Sequence, residues 1–182
     1  MDFFTAVNYE NDVRCIIITS SGKHFTAGLD LKETAPSLLD TDEDLDVARK
    51  GLRFAQKLEH MQRAFTAVER CRYPVIVGVH GGCIGAGIDL ITACDVVYAT
   101  DKTFFSVKEI DVAMIADLGT LQRLPIITSN WSLMKEHCLT GVNFPAEEAL
   151  KLGIISKIFA GEEELHRKIL SPQKLSINWQ QT

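Results

Sequence analysis

A chain of 182 residues can build one hydrophobic core but is short for two comfortable domains. Its 46% hydrophobic and 24% charged content fits a folded domain and excludes a disordered one. A net charge of −5, with no basic stripe interleaved with aromatics, argues against nucleic acid as a partner. No run approaches the roughly 20 apolar residues that cross a bilayer, so no membrane span is expected. Residues 1–10 lack the basic and apolar regions of a secretory signal, and they are not Arg- and Ser-rich like a transit peptide. Gln180-Gln181-Thr182 is not a peroxisomal tripeptide, so no targeting signal is read in the chain. Cys15, Cys71, Cys83, Cys94 and Cys138 form no Cys-x-x-Cys pair and sit mostly in apolar runs. Reduced core thiols are expected, and no metal site.

In chain order, Cys15-Ile16-Ile17-Ile18-Thr19 reads as a buried strand, broken by a turn at Ser20-Ser21-Gly22-Lys23. Residues 34–46 are polar and acidic, which predicts a loop with weak helix. Over residues 47–68 the apolar positions Val47, Phe54, Leu58, Met61, Phe65 and Val68 recur at helical spacing. Pro74 closes this amphipathic helix by disfavouring helical backbone before it. Residues 74–79 predict a second buried strand, residues 80–87 a glycine-rich turn, and residues 88–93 the start of a core helix. Two more strands are expected at 96–99 and 104–107. Beyond Gly119 the chain turns helical, with helices at 131–139 and 145–152, the latter with Pro145 in its first turn and Gly153 at its stop. A strand at 154–159 follows, and residues 171–182 predict a poorly packed tail. Alternating strands and helices point to an α/β fold.

The turn Gly81-Gly82-Cys83-Ile84-Gly85-Ala86-Gly87 lies between a strand and a helix, where backbone can approach a ligand and offer free N–H groups to an anion. A tight turn with no ligand is the plain alternative. The dinucleotide fingerprint fails because Leu90 stands where its last glycine belongs, and the P-loop fails because Ile88-Asp89 follows Gly87. No G-x-S-x-G elbow is present. Among ligand readings an oxyanion hole stands out. Asp89 sits in an apolar run, and Glu109 and Asp117 flank another. Carboxylates among apolar neighbours tend to have raised pKa, which suits proton transfer near neutral pH. The competing reading makes Asp89 a backbone cap and the other two surface charges. The five histidines show neither nucleophile pairing nor metal spacing.

Two long signatures carry a family resemblance. They are Phe25-Thr26-Ala27-Gly28-Leu29-Asp30-Leu31, and the run from Val79 through the glycine turn to Asp89-Leu90 and Ala93-Cys94-Asp95. Over residues 12–159 the chain resembles the enoyl-CoA hydratase/isomerase (crotonase) family. An acid at each of positions 89, 109 and 117 resembles its dienoyl-CoA isomerases; hydratases carry glutamate at the first and usually glycine at the last. The resemblance implies a crotonase (ClpP-like) spiral of ββα units, shorter than the family at both ends, with a core over 1–165 and a divergent tail over 166–182.

It further implies conversion of 3,5-dienoyl-CoA to 2,4-dienoyl-CoA in β-oxidation. Glu109 and Asp117 would shuttle the proton, in either assignment, and Asp89 would orient or tune its partner. Ala27, Gly28, Leu29, Asp30, Leu31 and Ala86 would bind substrate, with the N–H groups of Leu29 and Ala86 forming the oxyanion hole. No cofactor is implied, because CoA is part of the substrate. The partner is a fatty acyl-CoA thioester, the assembly a trimer or hexamer, and the compartment mitochondrial or peroxisomal. The alternatives are a truncated, weakly active or inactive acyl-CoA-binding chain, and an enoyl-CoA hydratase.

Overall fold

The computed structural model describes residues 2–38 and 45–171. Its centre is a four-stranded parallel sheet of β1 (Ile16–Ile18), β2 (Val75–Val79), β4 (Val96–Thr100) and β7 (Lys157–Phe159), ordered β1-β2-β4-β7. Strand β2 is an unbroken apolar run because both its faces are covered, and all five of its residues are buried. A second sheet holds β3 (Gly82–Ile84), β5 (Phe104–Ser106) and β6 (Phe144–Pro145), with β6 antiparallel to β5. Thr26 joins its edge through a parallel bridge to Cys83.

The same turn of chain repeats. Strand β2 lies in the first sheet, β3 in the second, and helix α4 (Ala86–Thr92) follows; β4 and β5 repeat the pair. Residues 16–26 make an earlier pass, from β1 to the Thr26 bridge and on to helices α2 (Leu31–Leu38) and α3 (Val47–Glu69). These are winding ββα units. Helix α1 (Asp2–Val7) packs on α3, and helices α5 (Thr120–Ile127), α6 (Trp131–Thr140) and α7 (Ala146–Lys151) follow β5. One core cluster holds Val77, Val79, Ile88, Ile91, Phe105 and Leu124. The opposite face of the sheet packs Ile76 and Phe159 against Leu165 and Ile169 of helix α8 (Glu162–Ile169). Among the described residues no helix is long and apolar enough to cross a membrane.

Several boundaries differ from the sequence reading, each for a local reason. The expected loop at 34–46 overlaps α2, which starts at Leu31 because the Asp30 carboxylate accepts the N–H groups of Lys32 and Glu33. The part of that loop over 39–44 lies outside the described residues. The expected glycine turn contains strand β3, and α4 begins at Ala86 rather than 88. Pro145 stands at the N-cap of α7 in extended backbone, one residue before the helix. The expected strand at 154–159 shrinks to β7. Helix α8 runs across the expected boundary at 165–166, and the expected tail over 171–182 lies outside the described residues apart from Ser171. Of the five free cysteines Cys83 is buried; the other four are half-buried.

Helix α8 sits where β2 offers no side chain: a Cβ on Gly78 would come within 2.5 Å of Ile169 Cδ1 and 3.4 Å of Leu165 Cδ2. Leu165 is fully buried. Leu165→Ala is expected to cost about 2–5 kcal/mol in urea unfolding. An unchanged midpoint would show that α8 adds nothing to the core.

Candidate active site

Two backbone segments cross beside the second sheet. Thr26 N–H donates to Gly82 O, and Ile84 N–H donates to Thr26 O. Gly28, at φ 96°, then presses onto the start of α4; a Cβ there would lie 3.2 Å from Ile84 O and 3.7 Å from Ala86 N. Gly85 takes φ 55° and Gly87 faces Thr26, whose Cγ2 would be 2.4 Å from a Cβ at Gly87. Glycine is required at such approaches. Among the described residues, the N–H groups of Leu29 and Ala86 have no acceptor, so both are available to a ligand oxygen.

A pocket of about 290 Å³ opens beside this crossing. Leu29 lines it with Phe54, Leu58 and Met61 of α3, and Met114, Ile115 and Leu118 complete an apolar wall. Glu109 and Asp117 are its two acids. Glu109 opens a short 3-10 turn (Glu109–Val112), and its Oε1 lies 3.4 Å from where a Cβ on Gly85 would stand. An acid and a backbone donor therefore sit on adjoining positions. Burial raises the Glu109 carboxyl above its ordinary pKa, and the charges of Asp89 and Asp117 push the same way. Among the described residues, the buried Glu109 Oε2 has no hydrogen-bond partner. A carboxylate left so poorly solvated is a competent base.

Asp117 is carried by the turn before α5. Its carbonyl accepts from Gln62 Nε2 of α3 at 2.7 Å, which ties the turn across the pocket wall. Asp89 does not line the pocket. It is fully buried in α4, and its Oδ1 accepts the Thr120 N–H at 2.6 Å. Burial raises its pKa, while the Thr120 hydrogen bond and the positive Arg123 oppose the rise. Asp89 thus holds the first residue of α5, and through it the turn bearing Asp117. Nearby thiols offer no competing base: burial pushes Cys94 up to about 12 and Cys138 up to about 11.

The structure therefore brings Glu109, Asp117 and Leu29 to one pocket, with Gly28 and Ala86 at the adjoining crossing. Ala27, Asp30 and Leu31 are exposed, and Asp30 is occupied in capping α2. The sequence reading missed the roles of Phe54, Leu58 and Met61, which line the pocket. Their i, i+4, i+7 spacing was visible, but it fits a core stripe equally well. His24 is exposed, yet its Nδ1 accepts the Gly82 N–H at 2.9 Å and steadies the glycine segment.

Residues 1–179 match the family model described as enoyl-CoA hydratase/isomerase, extending beyond both ends of the segment 12–159. The chain is 43% identical over 172 residues to the peroxisomal Delta(3,5)-Delta(2,4)-dienoyl-CoA isomerase of Arabidopsis thaliana. It is 44% identical over 163 residues to the mitochondrial enzyme of the same name from Homo sapiens. These alignments cover 91% and 90% of this chain but 62% and 49% of the two relatives, so it spans less than two thirds of their length. An enoyl-CoA hydratase crystal structure from Mycobacterium smegmatis superposes with a TM-score of 0.73 at 27% identity, covering 92% of this chain and 60% of that one. A putative enoyl-CoA hydratase from Streptomyces coelicolor A3(2) has a TM-score of 0.78 at 24% identity, covering 92% and 59%. The fold is that of the crotonases.

The raised pKa of Glu109 has a consequence for stability. An acid whose folded pKa exceeds its unfolded value favours the fold fully below the unfolded pKa of about 4.3 and loses that contribution as pH rises through the folded pKa. Glu109→Gln, which cannot ionise, is therefore expected to raise the urea midpoint at pH 7, the gain vanishing near pH 4. A loss of stability at pH 7, or a gain independent of pH, would contradict this burial.

Proposed function

Because the chain belongs to the enoyl-CoA hydratase/isomerase family, we propose that it carries a dienoyl-CoA isomerase site. The reaction moves the double bonds of a 3,5-dienoyl-CoA to the 2,4 positions during breakdown of unsaturated fatty acids. The observation that carries the reading is the pairing of Glu109 and Asp117 in one apolar pocket beside two unpaired backbone N–H groups. A single-acid 1,3-shift needs only one of those acids.

The thioester oxygen accepts from the N–H groups of Leu29 and Ala86. Carbon 2 then becomes acidic, because the negative charge that develops on the oxygen is stabilised by donors already in place. Glu109 takes the carbon 2 proton. The electron pair spreads from carbon 2 to carbon 6 along the diene. Asp117 gives a proton to carbon 6, which yields the 2,4-dienoyl thioester. The two acids then return to their starting states by proton exchange with water. Asp89 takes no proton; it holds the turn that presents Asp117. The apolar wall of Phe54, Leu58, Met61 and Ile115 accommodates the hydrocarbon. The relatives' names support a mitochondrial or peroxisomal setting.

The test is incubation of the protein with a 3,5-dienoyl-CoA while ultraviolet absorbance follows the conjugated product. Wild type is expected to turn over, and Glu109→Gln and Asp117→Asn each to lower kcat by about 10²–10⁴-fold. A folded wild-type protein that binds the thioester without forming product would overturn the proposal in favour of a non-catalytic acyl-CoA binder.

A further inference from the structure

The mechanism leaves one buried charge unused. Arg123 sits in the first turn of α5, and its side chain is only 11% exposed. Its Nη2 donates to Glu69 Oε2 of α3 at 2.7 Å. Its Nη1 lies against the turn so closely that a Cβ on Gly119 would come within 1.7 Å. Gly119 has φ 148°, and Arg123 N–H donates to Gly119 O at 3.0 Å, so side chain and backbone both hold that residue. Among the described residues, Arg123 Nε and Nη1 have no hydrogen-bond partner, and neither does Asp89 Oδ2; all three atoms are buried. A guanidinium that packs on Gly119 and a carboxylate bonded to the next residue, Thr120, have thus been taken out of water, and each keeps unspent hydrogen-bonding capacity. Removing either leaves the other as an uncompensated buried charge.

We propose that Arg123 is a positioning residue of the site. Held by Glu69 and wedged against Gly119, it fixes the turn that carries Asp117 and keeps the neighbouring Thr120 N–H on Asp89. This rests on the isomerase reading for its catalytic meaning. The charged groups facing Arg123 are Glu69 from α3, Asp89 from α4 and Asp117 from the turn, and Glu109 in turn faces Asp89 and Asp117. The positive charge of Arg123 opposes the rise that burial imposes on the Asp89 carboxyl, beside the Thr120 hydrogen bond. Arginine suits the place because its planar fork reaches Glu69 with one nitrogen while another packs on Gly119; lysine would keep the charge without the fork.

The experiment is a carboxyl-carbon NMR titration of Asp89 and Glu109 in wild type, Arg123→Gln, Arg123→Lys and Glu69→Gln, with kcat/KM followed against pH on the same samples. In Arg123→Gln the Asp89 titration is expected to rise, and the acidic limb of kcat/KM to move upward with it. Arg123→Lys should return the Asp89 titration towards wild type while kcat stays low, because the wedge is missing. Glu69→Gln alters a half-exposed partner and keeps the fold even where Arg123→Gln does not; it leaves the guanidinium less compensated, so Asp89 should titrate lower. An Asp89 titration unmoved by these variants overturns the role of Arg123 whatever the turnover. Absent wild-type turnover with the shifts intact contradicts the isomerase reading alone.

Discussion

Close contact between two backbones governs this molecule. Segments 24–28 and 80–87 are stitched by Phe25 N–H to His80 O, Thr26 N–H to Gly82 O and Ile84 N–H to Thr26 O. Gly81, Gly28 and Gly87 stand where a Cβ would strike Lys23 O at 2.2 Å, Ile84 O at 3.2 Å and Thr26 Cγ2 at 2.4 Å. The seam ties successive ββα windings together in the second sheet. It also brings Gly28, the residue before Leu29, onto Ala86 and leaves the N–H groups of Leu29 and Ala86 without an acceptor among the described residues. The oxyanion position proposed for these two donors is thus a by-product of how the chain winds, and the glycines make both possible. In a preorganised arrangement of this kind the donors need no rearrangement when charge develops.

Around the seam the fold concentrates negative charge where apolar packing resists it. Glu109 and Asp117 share a pocket walled by leucine, methionine, isoleucine and phenylalanine, with Asp89 buried beneath. Each carboxylate raises the cost of ionising its neighbours. The offsets are few and specific: the Thr120 N–H on Asp89, the guanidinium of Arg123, and Gln62 holding the backbone of the turn. Stability is given up at Glu109, whose buried Oε2 has no partner. A group kept poorly solvated in this way gains basicity, which is what abstraction of a carbon-bound proton demands. The tie between Glu69 and Arg123 lets a half-exposed residue on the long helix bear on that balance.

Much of the fold was legible in the sequence. Buried parallel strands read as continuous β-branched runs, so β1, β2 and β4 lay close to their expected places. Strand β3 was hidden because Gly82-Cys83-Ile84 is short and glycine-led, and its pairing with β5 is a long-range contact. Helix α2 was only partly anticipated, as weak helix within an expected loop that began at residue 34, although Asp30 was there as a cap. At the site, Glu109 and Asp117 were legible as acids flanking an apolar run, and the structure places both in one pocket. Asp89 was legible as an acid in an apolar setting and, on the competing reading, as a backbone cap, but its partner, the Thr120 N–H of another helix, was not. Phe54, Leu58 and Met61 carried only a periodicity, which does not distinguish a pocket wall from a core. Arg123 was legible only as part of a segment resembling the family; its meaning comes from Gly119, Glu69 and Asp89, which lie on a turn and two other helices.

The central claim is that two acids divide the proton transfer, Glu109 acting at carbon 2 and Asp117 at carbon 6. It is tested most directly in deuterium oxide, by following the carbon 2 protons of a 3,5-dienoyl-CoA by NMR in the presence of Asp117→Asn and of Glu109→Gln. The account predicts that Asp117→Asn still exchanges carbon 2 for deuterium while forming almost no product, and that Glu109→Gln loses exchange and product together. Exchange at carbon 2 that survives in Glu109→Gln would contradict it.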